Sequence, residues 1–398
     1  MKNNNPERIN GKIKVVHCVE SWLPQTMVWL YNQIKFLPED VENFVVCHSL
    51  RNLDQFAVPN IYSLKSLPVL QQYYKKIFWK IHLRPELASH LSLLEGVINS
   101  IKPDILHSHF GHMGSINARL AKRHNLGHLV NFYGADVNYL PNKEPYWRKK
   151  YQEMSDIVDQ ILCEGPFMAQ SIEDLGLDSS KIKIYRLGID LEKIRFVPRK
   201  YLPNEKLRFL IAGTFREKKG VPYALEALGL FSRKNGNIEI TIIGDANETE
   251  REQLEKQRIL EKVKEWDLYK NVRLLGYQPY DILLKEAYEH HIFISPSVTS
   301  EDGDVEGGAP VTIIEMAASG MPIVSTTHCD IPFVLSERNK DYLVGERDSR
   351  AICEAIDRLI KSGWDELVVS NRLFIERELD IRNQSQRLYQ IYLDVLNE

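Results

Sequence analysis

Residues 301–326 read EDGDVEGGAPVTIIEMAASGMPIVST: of its five carboxylates, four stand with a glycine pair before a run of helix formers that carries the fifth, ends at Gly320 and passes through Pro322 into a β-branched stretch. A proline in the first turn of a helix loses nothing, because its missing N–H would be unpaired there anyway, so Pro310 followed by VTIIEMAAS predicts a helix opening at this point. Gly307, Gly308 and Ala309 then lead into a helix N-terminus whose first turn holds Val311 and Thr312. Free amides and the positive end of the helix dipole meet there, and glycine lets another molecule approach the main chain. The spacing predicts an anion site. Glu315 falls between one and two turns into the helix, placed to accept hydrogen bonds from hydroxyls beside the anion. Asp302, Asp304 and Glu306 would oppose a phosphate unless they point away from it, and carboxylates gripping the hydroxyls of an attached sugar would satisfy both facts. A metal-binding or calcium-loop reading of Asp302-Gly303-Asp304 lacks the remaining loop ligands.

Outward from this stretch, short β-branched runs alternate with longer amphipathic segments, the pattern of parallel strands joined by crossover helices. In the first half the predicted strands are KIKVVHCV, NFVVCHSL, DILHSHF, HLVNFYG, QILCEG and KIYRLG; in the second they are LRFLIAG, IEITIIG, VRLLG, HIFISPS, PIVST and YLV. They are too apolar to face water on either side. The charged, proline-bearing interval FVPRKYLPNEK (196–206) is the predicted linker. SQRLYQIYLDVL (385–396) has apolar residues at helical spacing and reads as a terminal helix; its sequence leaves open which half it packs on. The working division is an acceptor-binding domain over 1–197 plus 376–398 and a donor-binding domain over 205–375. The fold class expected is α/β, two doubly wound Rossmann-like domains facing across a cleft, with ligand beyond the carboxyl ends of the strands.

IAGTFREKKG adds a second element to the anion site. Gly213 and Thr214 close a strand, and Arg216, Lys218 and Lys219 stand at the mouth of the next helix, where a diphosphate could be neutralised; Gly220 permits the tight entry. TIIGDAN repeats the strand-to-glycine arrangement with Gly244 and Asp245, and VRLLGY does so with Gly276 and Tyr277.

The totals bound the reading. At 398 residues, 43% apolar and 26% charged, the chain suits two soluble globular domains. A formal charge of −3 gives no reason to expect nucleic acid as a partner. The five cysteines are scattered, with no zinc-type spacing, and read as reduced and buried. MKNNNPERINGKIKVV lacks the apolar core of a signal peptide and no stretch approaches a membrane span, so a cytoplasmic location is expected. YYKKIFWKIHLRPE (73–86) and YWRKKY (146–151) interleave aromatic and basic residues, which suits the surface of an anionic membrane or a lipid-diphosphate acceptor.

In order, GTF-REKKG, IIGD, VRLLGY, HIFISPS and EGGAP-VTIIE-MAASGMPIVST resemble the donor domain of the family-4 retaining glycosyltransferases, especially their bacterial exopolysaccharide branch of the colanic-acid and amylovoran type. HSHFG, NFYGADV and RLGIDLEKI extend the resemblance over nearly the whole chain. It implies a GT-B fold, a nucleotide-sugar donor on the second domain, UDP-glucose by family frequency, an exopolysaccharide or lipid-linked sugar acceptor on the first, and no metal or other cofactor. Lys219 matches the family's phosphate-contacting lysine, and Glu315 its second motif glutamate. The place of the first motif glutamate is Gly307 here, with Glu306 one residue earlier; Thr214 stands where the family has an arginine, leaving Arg216 to compensate; Tyr133 stands where a histidine precedes Gly134 and Asp136. Lys219 and Arg216 are the expected stabilisers of the leaving phosphate, and His109, at a strand's carboxyl end, the expected contact to sugar or acceptor. His107 is read as structural. Glu20, Tyr133 and Asp136 complete the acceptor-side candidates. Two other functions compete: a non-catalytic two-domain sugar-nucleotide binder, which would normally carry an export signal, and a nicotinamide-dependent oxidoreductase, for which no GxGxxG follows a strand.

Overall fold

All twelve apolar runs read as strands form strands in the computed structural model, which describes residues 11–24, 27–64, 85–202 and 205–397. They are β1 (Ile13–Trp22), β2 (Val41–Leu50), β4 (Ile105–His109), β5 (Gly127–Asn131), β6 (Gln160–Cys163), β7 (Ile182–Ile184), β8 (Leu207–Ala212), β9 (Ile238–Ile243), β10 (Val272–Gly276), β11 (Ile292–Ser295), β12 (Ile323–Thr326) and β13 (Leu343–Val344). The short β3 (Ile61–Ser63) is additional; three residues carry too little periodicity to be read from sequence.

The strands form two parallel sheets, ordered β3-β2-β1-β4-β5-β6-β7 and β10-β9-β8-β11-β12-β13 among the described residues. Chain order reverses at β1/β4 in the first sheet and at β8/β11 in the second. The crevice beyond the strand ends at such a switch point is where open parallel sheets bind ligands.

The chain divides into two compact units, residues 1–188 with 381–398, and residues 189–380. The first division falls earlier than composition suggests. Residues 196–202 belong to the second unit, where the buried Arg199 guanidinium donates to the carbonyls of Ala287 (2.9 Å), His290 (3.1 Å) and Ser319 (2.8 Å). Charge in the sequence signalled an exposed linker; saturation of the guanidinium by main-chain carbonyls makes it an interior strut.

In the first unit the terminal helix Ile381–Asn397 lays Leu388, Ile391, Tyr392 and Val395 against Val15, Ile105, Leu129 and Leu162. Each fully buried aliphatic side chain contributes about 1.5–3 kcal/mol, which anchors the helix to this sheet. In the second unit Phe209 and Ile211 of β8 pack with Ala224, Leu228, Ile352 and Ile356, while Leu210 packs with Phe293, Ile313, Ile314 and Met316. Successive residues of one strand thus feed two cores, as expected of a sheet covered on both faces.

Candidate active site

The sheet order of the second unit decides the geometry of its charged residues. β8 and β11 are neighbours, so the turn after β8 (213–220) and the loop after β11 (296–310) lie side by side. Gly220 adopts φ 64° and a Cβ there would lie 1.9 Å from the Pro296 carbonyl oxygen, so the close approach of the two loops requires glycine. The Lys218 carbonyl accepts from the Val298 amide at 2.9 Å, joining them further.

Across this junction Lys219 Nζ donates to Glu306 at 2.9 Å, its side chain 21% exposed and that of Glu306 7%. The lysine stem runs over Gly213, whose hypothetical Cβ would be 3.4 Å from Lys219 Cδ. Ser297 Oγ donates to the second carboxylate oxygen of Glu306 at 3.0 Å. Burial acts to raise the pKa of Glu306, but Lys219 and Lys218 outweigh it and hold the group at about 2.

Asp304 is expected to grip donor hydroxyls, and the structure corrects this. The residue is 0% exposed; Arg216 and Lys218 (3.2 Å) donate to it, and Arg251 approaches at 3.5 Å while pairing with Asp302 at 2.8 Å. A buried carboxylate must be paired or neutral, and here three cations surround it. Carboxylates beside the glycine bend are therefore accommodated by ion pairs within the unit. Arg216 is half-buried and already committed to Asp304.

The helix Val311–Ala318 begins one residue later than expected, with Pro310 as the residue preceding its first turn. The Ile313 amide bonds the Pro310 carbonyl at 3.0 Å, while Val311 and Thr312, at the very start, have no carbonyl a turn back; Gly307, Gly308 and Ala309 precede them as the sequence indicates. Glu315, on this helix, accepts from the Tyr280 hydroxyl at 2.9 Å, and burial pushes it up to about 7 against that bond. At the neighbouring strand ends the Gly244 amide donates to the Gly276 carbonyl at 2.8 Å, and a Cβ on Gly244 (φ 141°) would fall 1.8 Å from the Gly213 carbonyl oxygen. Asp245 is held by Lys256 at 2.6 Å, Thr214 accepts through its carbonyl from the Arg216 amide, and Tyr277 is 54% exposed.

The other switch point is built from imidazoles. His17 pairs in register with His107 across β1 and β4, and His109 lies two residues on. All three are buried and their donor atoms lie within 4.8 Å of one another. Every ring nitrogen has a protein partner. Asn43 donates its amide to the Ile34 carbonyl, so its oxygen faces His17 Nε2 and takes that proton at 3.1 Å. His17 Nδ1 then accepts from His109 Nε2 at 3.1 Å, and His109 Nδ1 accepts from the Tyr133 hydroxyl at 2.7 Å. The proton positions follow from this network. His107 bonds the Tyr392 hydroxyl at 2.8 Å and Asn131 at 2.7 Å. Desolvation first, then mutual repulsion, lowers His17 to about 3; desolvation lowers His107 to about 4, against its bond to Asn131.

The sequence-level role of His109 is thereby corrected: it is fully enclosed, with no ring nitrogen left for a sugar, and acts on its surroundings through Tyr133. Tyr133 packs its ring against Trp29 and Phe110 at centroid distances of 4.4 and 4.9 Å. Asp136 is likewise internal, accepting the Gly111 amide at 2.6 Å and the Tyr133 amide at 2.9 Å, and burial pushes it up to about 6. Glu20 is exposed, 3.8 Å from His112. In YWRKKY, Tyr151 belongs to the core while Tyr146 is exposed on the helix Pro145–Ser155; residues 73–84 lie outside the described residues. Among the described residues no helix is long and apolar enough to cross a membrane.

Sequence reasoning missed His17, Arg251, Ser297, His328 and Glu346. His17 carried a signal, an imidazole in an otherwise apolar strand; the others acquire their partners only through the sheet order.

Comparison with known proteins agrees with this architecture. Residues 28–193 match the family described as Glycosyltransferase Family 4, and residues 206–362 the one described as Glycosyl transferases group 1. The chain is 31% identical over 281 residues to the amylovoran biosynthesis glycosyltransferase AmsK of Erwinia amylovora, covering 70% of this chain and 67% of that one. It is 28% identical over 274 residues to WcaL of Escherichia coli (strain K12), named for colanic acid biosynthesis, covering 68% and 65%. The matches thus span about two thirds of each relative's length. Among solved structures, Anabaena HepE in complex with UDP-glucose superposes with TM-score 0.75 at 14% identity, over 96% of this chain and 100% of that one. Sucrose-phosphate synthase from Thermosynechococcus elongatus does so with TM-score 0.73 at 12% identity, over 97% and 100%. At such identities the likeness establishes the fold, two α/β units of the GT-B class. The chain belongs to the family-4 glycosyltransferases.

Proposed function

We propose that this protein transfers a hexose, with retention of configuration, from a nucleoside diphosphate sugar to a growing, lipid-linked exopolysaccharide, with UDP-glucose the first donor to try. The observation that carries the reading is Lys219 Nζ, held 2.9 Å from Glu306 where the glycine bend enters the helix Val311–Ala318. A partly exposed cation and the first amides of the helix belong to one bend, and groups of both kinds can stabilise a diphosphate. Two relatives lend support: AmsK is named for amylovoran biosynthesis, and HepE is described with UDP-glucose.

In this mechanism the bond from the sugar's anomeric carbon to the diphosphate oxygen breaks as the acceptor hydroxyl oxygen bonds to that carbon on the same face. The hydroxyl proton passes to the departing phosphate. Lys219 and the helix end stabilise the charge that develops on the leaving group, while Arg216 stays paired with Asp304 behind them. Gly307, Gly308 and Ala309 admit the phosphates and Glu315 holds adjacent hydroxyls of the nucleotide. Side chains and main-chain amides carry this charge without a bound metal, so turnover should survive chelation with EDTA. The protein would work in the cytoplasm against the inner membrane face, where lipid-linked acceptors are reached.

The test is release of nucleoside diphosphate from a panel of UDP- and GDP-sugars, with and without lipid-linked acceptor. Release stimulated by acceptor is expected. Tight donor binding with no release under any condition would replace transfer by a binding function.

A further inference from the structure

Beside the charged loops lies a second set of polar residues that the proposed transfer does not use. His328 follows β12 and is 2% exposed. Its Nε2 lies 3.1 Å from the Glu306 amide nitrogen, and a main-chain N–H can only donate. Nε2 is therefore the unprotonated nitrogen, and Nδ1 carries the proton that is donated to Glu346 Oε1 at 2.6 Å. Glu346 is fixed in turn: its other oxygen accepts from the Thr299 amide at 2.7 Å, and Thr299 Oγ1 donates to Oε1 at 3.3 Å. The Cys329 sulfur, 3.0 Å from Nε2, can add its weak S–H to the same lone pair. The result is a directed relay, carboxylate to imidazole to peptide N–H, that ends on a single residue.

That residue is Glu306, whose side chain pairs with Lys219 and whose carbonyl opens onto Gly307 and Gly308. A glycine pair has no side chains with which to fix its own course, and Gly307 adopts φ 80°. Something outside the loop must set where the main chain enters the bend. The relay does so at Glu306, from the segments that follow the paired strands β12 and β13, beside the bonds of Lys218 Nζ to the Val305 carbonyl at 2.8 Å and of the Asp330 amide to the Gly308 carbonyl at 3.2 Å.

We propose that His328, oriented by Glu346, is a positioning residue that fixes the Glu306 peptide and thereby aims both Lys219 and the glycine bend at the donor diphosphate. The proposal rests on the donor reading above for its ligand, but its geometric half stands without any ligand. Misplacing a binding group by about 1 Å can cost about 100-fold, and groups that orient a ligating residue typically contribute about 10–100-fold.

The experiment compares wild type, His328→Ala, His328→Gln and Glu346→Ala in two measurements. The first is hydrogen exchange of the Glu306 amide in the ligand-free protein, with thermal melting as a control on folding. The second is calorimetric titration with UDP and GDP. Glutamine presents an acceptor and a donor at the spacing of the two imidazole nitrogens, so it can accept from Glu306 and donate to Glu346. His328→Ala should speed Glu306 exchange at least tenfold and weaken nucleotide binding about 10–100-fold; Glu346→Ala should do the same more weakly, and His328→Gln should stay within about threefold of wild type in both. Loss in the alanine variant without recovery in the glutamine variant, or an alanine variant that keeps amide protection and affinity, would overturn the proposal. Should wild type bind neither nucleotide, the donor reading falls, while the amide exchange still decides whether the relay holds the loop.

Discussion

The two switch points solve one problem in opposite ways. At β1/β4 polar side chains are buried by becoming neutral: His17 and His109 link Asn43 to Tyr133 in a hydrogen-bonded chain, and the neutral His107 bonds Tyr392 and Asn131. At β8/β11 they are buried by being paired: Asp304 lies among Arg216, Lys218 and Arg251, and Glu306 keeps its charge beside Lys219. Desolvation penalises charge in both places. It wins where the neighbours are like groups, and loses where opposite charges lie within about 4 Å. A neutral network is suited to orienting Tyr133; a paired one holds cations and carboxylates together at the strand ends.

The sharpest way to break this contrast is to remove the hub of the paired region. Asp304→Ala leaves three cations facing one another, and breaking a buried pair from one side costs about 3–5 kcal/mol. Urea unfolding should show the loss; an unchanged midpoint would mean that these cations are solvated and that the region is not built on pairing. Next in size, Lys219→Ala should lower turnover about 100- to 1,000-fold, the cost of removing one donor to a developing oxyanion. Circular dichroism would confirm that the variant is folded, and near-normal turnover would reject the role. In the neutral region, His107→Phe strands the Tyr392 hydroxyl and Asn131 and should cost about 1–3 kcal/mol. That cost should be the same in low and high salt, whereas the Asp304 variant should be salt-sensitive.

The smallest effect is the finest comparison, between two glutamates of one bend. Glu306 is held at about 2, below its ordinary 4.5, so the unfolded chain binds more protons in that interval; its contribution is complete above about pH 4.5 and is lost as pH falls toward 2. Glu315 is raised to about 7, so between 4.5 and 7 it is the folded chain that binds more protons. Stability from this group is complete below 4.5 and is lost as pH rises through 7. Melting curves at pH 5 and pH 8 should therefore converge by a few degrees in Glu315→Gln relative to wild type. Equal pH dependence in the two proteins would remove Glu315 from the buried set. Donor binding should tighten above pH 7 as Glu315 ionises and accepts hydroxyl protons.

Legibility differed between fold and site. The strands could be read because burial on both faces demands continuous apolar runs, and the glycine bend and helix start because glycine, proline and helix formers each have a local conformational meaning. Lys219 and Glu315 stood out from the same local logic. The role expected of Asp304 did not survive, because its partners Arg216 and Lys218 are 88 and 86 residues away. His109 was read as a strand-end group facing a ligand; its enclosure follows from His17, which only the β1/β4 pairing brings beside it. Arg199 looked like linker charge until main-chain carbonyls from 287 to 319 were found around it.

What the amino-acid sequence alone determined is therefore what a few neighbouring residues govern: which segments form strands and helices, and which turns need glycine. Which charged side chain meets which, and whether a buried group keeps its proton, was decided by the order of strands in two sheets. Periodicity reports that a side chain leaves water, whereas its partner is set by contacts tens of residues apart, and the strength of those contacts depends on a distance that no local pattern encodes.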